Sequence, residues 1–376
     1  MAYPTTRFIT RGCSTVHSLS THVLFTHVCS RRQVLNVTET LAHKDIKLFG
    51  AIKPFGSLYY TARMHGSTTP QYVVKVLDPA TEEGSICERL QENLSSPNHG
   101  LPSEIIPSEP RLLVMPFSGD LGSILYTNRP QSFFLDIFYQ IIEGVEYLHR
   151  LRIAHLDICF DNIVYASPYY AATTDTRLVE GKVYIIDFHT SRQLALGPSR
   201  QPPIVLPPSQ EKKPLGVTAL DPYSFDVYCL GKVMQEVLKL TFLKERDLPR
   251  IPRRYAQWLV GSERGWTSIC HCRPTARKTR LVLTMLRWLV YTSEVLGRGL
   301  VSVRRLLTIT PPREIDTALS TRVIHTVGAF TRYLKTFTLL ITCHPTLNFA
   351  VMTNTAPHAN NAGTVVLTLI TSTAKC

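Results

Sequence analysis

The strongest constraint on the fold is a set of polar residues between positions 155 and 189, arranged around two short β-branched runs. Their order is His155-Leu156-Asp157, then Asn162, then Asp187-Phe188-His189. Asn162 opens the run 163–165 and Asp187 closes the run 182–186, so both lie where a loop meets a predicted strand. The pattern predicts a strand, a loop and a second strand that bring one amide and two carboxylates together.

These residue types suit phosphoryl transfer from ATP. A transferring phosphoryl group needs little covalent chemistry from the protein, so catalysis depends on positioning and on neutralising charge at phosphate oxygens. Mg2+ prefers oxygen ligands and takes only one or two carboxylates from a protein, so Asn162 and Asp187 are the predicted metal ligands. Asp157 is the predicted base, which orients a substrate hydroxyl and accepts its proton.

Residues on both sides extend the pattern from about Phe49 to about Val290, and over this stretch the chain resembles the eukaryotic protein kinase superfamily. The segment 71–76 is similar to the third strand of the family's small lobe, which implies that Lys75 pairs with the α- and β-phosphates. Glu88 falls where the family has a helix glutamate that forms a salt bridge with this lysine. Glu83 and Glu92 are competing choices.

The resemblance also implies an adenine-binding hinge. The segment 111–117 resembles the strand that leads into this hinge, with Met115 as the gatekeeper. Proline has no backbone N–H. The resemblance implies that adenine contacts the carbonyl of Pro116 and the N–H of Ser118, so the missing N–H of Pro116 costs nothing.

A reduced glycine-rich loop is expected to cover the phosphates. In such loops, small residues let backbone N–H groups approach the phosphate oxygens. Gly50 and Gly56 remain from the family's pattern, while Pro54 removes one donor. The resemblance thus implies phosphate contacts at these two glycines, with poorer cover than in most kinases.

Other segments are expected to support the site. Apolar residues at helical spacing predict a long buried helix before the catalytic segment: Phe133, Phe134, Ile137, Phe138, Ile141, Ile142, Val145 and Leu148. A helix that resembles the family's helix F is expected to begin near Asp226, and the resemblance implies that Asp226 anchors the catalytic loop. The late motif 272–276 implies that Arg273 binds an acid, either Glu211 or Asp221.

Several features depart from the family's pattern. Leu156 stands where many kinases have an arginine that binds a phosphorylated activation loop. Cys159 replaces a lysine that contacts the γ-phosphate, and His189 replaces a glycine. The activation segment is rich in proline over 197–214, which favours extended backbone. Because none of the predicted metal ligands or the base is lost, an active enzyme is favoured over an inactive one.

The chain is strongly basic, with 41 Lys and Arg against 28 Asp and Glu, for a net charge of +13. Such a charge favours acidic partners, nucleic acid or anionic membranes. Solvated helix faces explain it more simply, since no zinc knuckle or RNA-binding signature accompanies it. The predicted partners are therefore ATP and an unidentified protein substrate, without a nucleic-acid or membrane partner.

The cysteines bear on the compartment. There are 9 of them, an odd number without framework spacing, which favours free thiols in a reducing compartment. An intracellular, cytoplasmic location is expected. The residues before Glu39 are rich in Arg, Ser and Thr, as organelle transit peptides are, but a loosely attached leader is preferred.

The sequence thus predicts an α+β chain with a two-lobed protein kinase-like fold, a small β-rich N-lobe and a larger helical C-lobe. A leader is expected over 1–45, the kinase-like domain over 46–292 with the lobes dividing near 117, and an unassigned extension over 293–376. The expected activity is transfer of the γ-phosphoryl group of ATP to a protein hydroxyl, of the Ser/Thr type. Two alternatives stay open: a pseudokinase that acts as a nucleotide-binding or scaffold module, and a small-molecule kinase of the aminoglycoside or choline kinase type.

Overall fold

The structure is a computed structural model, and its described part combines antiparallel β-sheets with α-helices. It describes residue 39 and the ranges 41–42, 44–51, 59–64, 71–95, 97–125, 129–212, 219–242, 248–261 and 273–309. Most of the expected leader and the extension beyond 309 lie outside the described residues. An α+β class is therefore confirmed for the part of the chain that is described.

The first part of the described chain forms a five-stranded antiparallel sheet in the order β1-β2-β3-β5-β4. Its strands are β1 Ile46–Ala51, β2 Tyr59–Met64, β3 Tyr72–Val76, β4 Glu104–Ile106 and β5 Leu112–Pro116. Side chains alternate between the two faces of a strand. Val74 and Val76 pack in a small apolar cluster on one face, so Lys75 between them faces the other side.

The predicted strand, loop and strand are present. Seven short strands follow β5: β6 Gly119–Asp120, β7 Ile153–Ala154, β8 Ile163–Tyr165, β9 Val183–Ile185, β10 Arg192–Gln193, β11 Ile204–Val205 and β12 Ala219–Leu220. β8 pairs antiparallel with β9, with Ile163 opposite Ile185. β6 joins this pair to make a three-stranded sheet, β7 pairs with β10, and β11 pairs with β12.

The helices build the larger apolar core. They are α1 Glu83–Gln91, α2 Gln131–Arg150, α3 Pro168–Thr173, α4 Pro222–Thr241, α5 Arg250–Val260 and α6 Ala276–Ile309. The long helix predicted before the catalytic segment is α2, and of its eight predicted core residues all but the half-buried Phe133 are buried. α2 packs against α6 and β9, and α4 packs against α5. Among the described helices, none is long and apolar enough to cross a membrane.

Two expected boundaries differ from the structure. α4 begins at Pro222 with Asp221 as its N-cap, so Asp226 lies one turn inside the helix rather than near its start. α6 is continuous from Ala276 to Ile309, so the expected domain end at 292 falls within it. Glu294, beyond that boundary, accepts a hydrogen bond from the Ser132 hydroxyl at 2.8 Å and thereby joins α6 to the start of α2.

Candidate active site

One ammonium group joins the five-stranded sheet to the segment after β9. Lys75 Nζ lies 2.6 Å from Glu83 Oε1 and 2.8 Å from Asp187 Oδ1. Lys75 is only 1% exposed and Glu83 is fully buried, whereas the side chain of Asp187 is 25% exposed. A buried cation needs such partners, because an unpaired charge away from water is very costly. Two of the predicted site residues, Lys75 and Asp187, are thus in direct contact.

The glutamate that pairs with Lys75 is Glu83, and the expected pairing with Glu88 is wrong. Glu88 forms its ion pair with Arg111, and both side chains are about half exposed. Each residue of an α-helix is turned by about 100° from the one before it. In α1 the buried face contains Ile86, Cys87 and Leu90. Glu83 lies on that face one turn earlier, while Glu88 points to the opposite side.

Burial raises the pKa of the Glu83 carboxyl above its ordinary value, although the charge of Lys75 acts in the opposite direction. One Glu83 oxygen contacts Lys75, while the other is buried without a hydrogen-bond partner among the described residues. Moving a carboxylate out of water disfavours its charged form, which explains the direction of the shift. Lys75 therefore stabilises the ionised form of the Glu83 carboxyl.

Asp157 and Asn162 form the second half of the site. The Asn162 side-chain amide donates to the Asp157 backbone carbonyl at 2.9 Å and to its carboxylate at 3.2 Å. Both residues are buried, with Asp157 8% and Asn162 5% exposed. Since the amide nitrogen faces Asp157, the amide oxygen is directed away from it. The predicted base and one predicted metal ligand are therefore neighbours.

Pairing of β8 with β9 brings Asn162 close to Asp187. The Ile186 N–H donates to the Asn162 carbonyl at 3.0 Å, which continues the β8–β9 ladder by one residue. Asn162 and Asp187 thus lie at adjacent strand ends, as the spacing predicts. Asp187 adopts a φ of 64°, a left-handed conformation that is uncommon for residues other than glycine. Such strain is often found at functional sites.

The oxygen donors at these strand ends fit Mg2+ better than a metal that prefers sulfur or nitrogen ligands or one that needs many protein ligands. Among the described residues there is no cluster of three or more His, Cys, Asp and Glu side chains that would make a complete protein cage. Mg2+ does not need one, because it usually keeps several waters and binds one or two carboxylates together with substrate phosphates. One carboxylate at Asp187 and one amide oxygen at Asn162 match that requirement.

The aspartate of α4 anchors the backbone before Asp157, as the resemblance implies. Asp226 is fully buried, and its carboxylate accepts the N–H groups of His155 and Leu156 at 2.9 and 2.8 Å. His149 Nε2 donates to the same carboxylate at 2.9 Å. Hydrogen bonds from three donors hold this buried charge and fix the backbone just before Asp157.

His155 joins the catalytic segment to the residues around Asp187. Its Nε2 donates to the Ile186 carbonyl at 3.1 Å, and its Nδ1 accepts the N–H of Asp157 at 3.3 Å. These two partners select the neutral ring with the proton on Nε2. The ring also packs against Phe188, with centroids 5.0 Å apart. His155 therefore connects Asp157 to the segment that carries Asp187.

The proline-rich activation segment reaches the predicted base. The Gln210 N–H donates to Asp157 Oδ1 at 2.7 Å. Asp157 is therefore held on one oxygen by this backbone and on the other by Asn162. This contact could not be predicted, because segment 197–212 has no regular periodicity that would orient its backbone.

The expected adenine hinge lies at the end of β5. Met115 is buried at 7% exposure and belongs to the larger core. The Phe117 N–H donates to the carbonyl of Gln71 at 2.7 Å. The Pro116 carbonyl and the Phe117 N–H belong to the same trans peptide and point in opposite directions. The carbonyl therefore points away from Gln71 and can accept a hydrogen bond from a ligand. The Ser118 hydroxyl donates to the Tyr165 carbonyl at 3.0 Å and ties the hinge to β8.

The glycine-rich loop is only partly visible. Gly50 lies in β1 opposite Thr61, next to an irregularity in the strand register between Leu48 and Gly50. Gly56 falls outside the described residues, as does Pro54. The predicted phosphate contacts of both glycines stay a prediction.

The three departures from the family's pattern have local explanations. Leu156 is fully buried, with a φ of 66°, so an apolar side chain suits its position. Cys159 is 5% exposed, and burial raises the pKa of its thiol to about 12. His189 is partly buried and lies two residues after Asp187. None of these residues displaces the contacts among Lys75, Asp187, Asn162 and Asp157.

Arg273 lies beside one of its two candidate partners. Arg273 and Asp221 line the same small cavity, together with Tyr223 and Ser224. Glu211 lies elsewhere, near enough to Lys232 and Asp157 for their charges to affect its pKa, which burial raises. The structure therefore favours Asp221 over Glu211 as the acid that faces Arg273.

A comparison with family models and with curated protein sequences found no match to the chain. Its function is therefore inferred from the contacts described above.

Proposed function

We propose that the chain is an ATP-dependent protein kinase that transfers the γ-phosphoryl group to a protein hydroxyl, of the Ser/Thr type. The observation that carries this proposal is the contact of Lys75 with both Glu83 and Asp187, at 2.6 and 2.8 Å. In the proposed two-lobed fold, the five-stranded sheet with α1 forms the small lobe and the remaining helices form the large one. Lys75 then lies where the two lobes meet.

In this proposal each residue has a separate role. Lys75 neutralises charge on the ATP phosphates, and Glu83 holds the lysine in position. The Pro116 carbonyl accepts a hydrogen bond from adenine. Asp157 accepts the proton of the substrate hydroxyl. At the same time the hydroxyl oxygen forms a bond to the γ-phosphorus, and the bond between the γ-phosphorus and ADP breaks. Asn162 fixes the orientation of the Asp157 carboxylate through its hydrogen bond.

Asn162 and Asp187 would hold Mg2+, which supplies positive charge to the phosphate oxygens. Lys75 contacts Asp187 Oδ1, so both the lysine and the metal ligand are placed on the same side of the site. Asp226 contributes by holding the backbone of His155 and Leu156, which sets the position of Asp157.

A protein substrate is favoured over a small alcohol by the surroundings of Asp157. The backbone N–H of Gln210, in the proline-rich segment, donates to Asp157 Oδ1 at 2.7 Å. A stretch of polypeptide can therefore be accommodated beside the carboxylate. A small-molecule kinase requires no such space, because its substrate needs only a compact pocket.

The test is a transfer assay with ATP labelled at the γ-phosphate, using the full-length protein and casein as a Ser/Thr-rich acceptor. Wild type is compared with Asp157→Asn and Asp187→Asn. Each variant is expected to lose at least about a hundredfold in rate, since one removes the base and the other a metal ligand. Asp175→Asn is the matched control, because Asp175 pairs with Arg177 away from these residues and its loss should leave the rate unchanged.

The outcomes separate the alternatives. Labelled casein that disappears in both site variants supports the protein kinase. Nucleotide binding without transfer to any acceptor would indicate a pseudokinase, and transfer only to a small alcohol such as choline would indicate a small-molecule kinase. Equal rates in wild type and both site variants would overturn the proposed site.

A further inference from the structure

A second candidate site lies at the junction of α2 and α6, away from the residues that contact Lys75 or Asp157. A cleft of about 520 Å³ is lined there by Glu146, His149 and Arg150 of α2, by Thr275, Arg277 and Arg280 around the start of α6, and by Pro198. Clefts of this size accommodate small-molecule ligands. In the proposed phosphoryl transfer none of these residues contacts ATP, Mg2+ or the substrate hydroxyl, and His149 acts only through its hydrogen bond to Asp226.

The cleft carries a positive charge that its own carboxylates do not cancel. Arg280 is balanced by Glu146, to which its Nε donates, and by Glu143, 3.1 Å from its Nη1. Arg150 and Arg277 are exposed, and no described carboxylate forms an ion pair with either. Two guanidinium groups at the rim of this cleft therefore have no carboxylate partner among the described residues, and that of Arg150 lies over the Tyr147 ring, 5.6 Å from its centroid. A ligand with two negative charges would match them.

The start of α6 also favours a negatively charged ligand. The first turn of this helix contains no acidic residue, and its beginning lines the cleft. Helix N-termini favour anions because their first N–H groups lack partners within the helix. Thr275 satisfies one of them, since its hydroxyl accepts the N–H of Lys278 at 3.3 Å.

A buried imidazole provides an independent indication of a ligand. His149 is only 3% exposed and lines the cleft. Its Nε2 donates to Asp226, while its Nδ1 is buried with no hydrogen-bond partner among the described residues. Because a carboxylate can only accept, Nε2 carries the proton and Nδ1 is the unused atom. Buried polar atoms nearly always have a partner, so an unmatched one suggests a missing group.

We propose that this cleft binds a phosphate monoester of a small molecule. The phosphate group would face Arg150, Arg277 and the first turn of α6, and the remainder of the molecule would fill the rest of the cleft. The unused Nδ1 of His149 can accept the O–H of a singly protonated phosphate. In its protonated form, the same ring would donate to a phosphate oxygen.

The site is tested by titrating full-length protein with glycerol 3-phosphate and following the heat of binding. Arg150→Gln and Arg277→Gln are each expected to weaken binding about tenfold, because each removes a charge-assisted hydrogen bond. Lys278→Gln is the matched control: it removes the same charge from the adjacent residue, which does not line the cleft, so affinity should stay unchanged. Glycerol should not bind.

A spectroscopic readout locates the ligand independently of the affinity. In protein labelled with 15N-histidine, the Nδ1 signal of His149 should shift during the titration, while the signals of His99 and His155, which already have hydrogen-bond partners, should stay in place. His149→Gln assigns this signal, and if that variant does not fold, the two arginine variants decide the test.

Three results would overturn the site: no binding at millimolar ligand, an equal loss of affinity in Lys278→Gln, or binding without a shift at His149. A peptide that carries phosphoserine is the second arm of the titration. If it binds more tightly than glycerol 3-phosphate and with the same dependence on Arg277, a phosphate monoester site is supported with a protein as its source.

Discussion

Lys75 occupies a position where a single charge is shared by two different partners. Glu83 is fully buried and Asp187 is partly exposed, so only Asp187 can face an incoming ligand without leaving its place. Glu83 thus holds Lys75 in position, and the same ammonium group also pairs with the partly exposed Asp187. The two acidic partners are expected to respond differently to substitution.

The choice between the two glutamates of α1 gives the first prediction. Glu83→Gln should reduce ATP affinity and the transfer rate about tenfold or more, because Lys75 loses the buried carboxylate that positions it. Glu88→Gln should leave both unchanged, since Glu88 pairs with Arg111 at the surface. The measurement is nucleotide binding and labelled transfer for both variants, after circular dichroism has shown that each is folded.

A loss in Glu88→Gln with normal activity in Glu83→Gln would contradict this assignment. The sequence placed Lys75 correctly in its strand but chose the wrong glutamate, because the expected position was transferred from the family's pattern. The period of α1 contained the better signal. Ile86, Cys87 and Leu90 mark the buried face, and Glu83 is the acid that shares it.

Cys159 gives a prediction about reactivity. Burial raises the pKa of its thiol to about 12, so at pH 8 only about one molecule in ten thousand carries the reactive thiolate. Native protein should therefore resist alkylation by iodoacetamide at Cys159, and the rate should rise about tenfold per pH unit up to that pKa. Mass spectrometry of the modified peptide measures this.

Unfolding in guanidinium chloride serves as the control for this experiment. It should expose Cys159 and return its thiol to the ordinary pKa, so alkylation should become fast at pH 8. Rapid modification of Cys159 in the folded protein would show that the residue is more accessible than its 5% exposure indicates.

At the scale of elements, strand pairing and helix packing place the site residues. β8 and β9 bring Asn162 next to Asp187, and α4 holds the backbone before Asp157 through Asp226. The position of α4 depends in turn on close packing against α5. A side chain added at Gly231 would lie 2.9 Å from the Val260 backbone nitrogen and from Leu259 Cβ.

Gly231→Ala should therefore destabilise the protein by about 1–3 kcal/mol, because α4 and α5 would have to move apart. Gly297→Ala is the matched control, since no atom lies within 4 Å of the added Cβ and the residue is in α6. It should be neutral or stabilise the helix by up to about 1 kcal/mol. Denaturant titration of both variants measures the difference, and equal stability would contradict the packing of α4 on α5.

Much of the element structure could be predicted from local patterns. The apolar period of α2 and the β-branched runs of β3, β5, β8 and β9 correspond to elements in the structure. The contact of Gln210 with Asp157 could not be predicted, and the choice between Asp221 and Glu211 beside Arg273 could not be made, because both depend on how irregular segments fold back onto the core. The resemblance also gives no end for α6, since it stops near Glu294 while the helix continues to Ile309.

At the scale of the whole molecule, the proposed site exists only where two regions meet. The five-stranded sheet contributes Lys75 and the hinge at Pro116, whereas the helical region with its short strands contributes Asp157, Asn162 and Asp187. The ion pair between Lys75 and Asp187 connects the two regions. The central claim is that a nucleotide and Mg2+ bind together at this connection.

Calorimetric titration of the full-length protein with ATP, in Mg2+ and in EDTA, tests this claim most directly. Wild type should bind ATP about tenfold or more tightly in Mg2+, because Asp187 and Asn162 would hold the metal beside the phosphates. Asp187→Asn should bind ATP without this dependence on Mg2+. Equal affinity of wild type with and without Mg2+, or a dependence that persists in Asp187→Asn, would contradict the account.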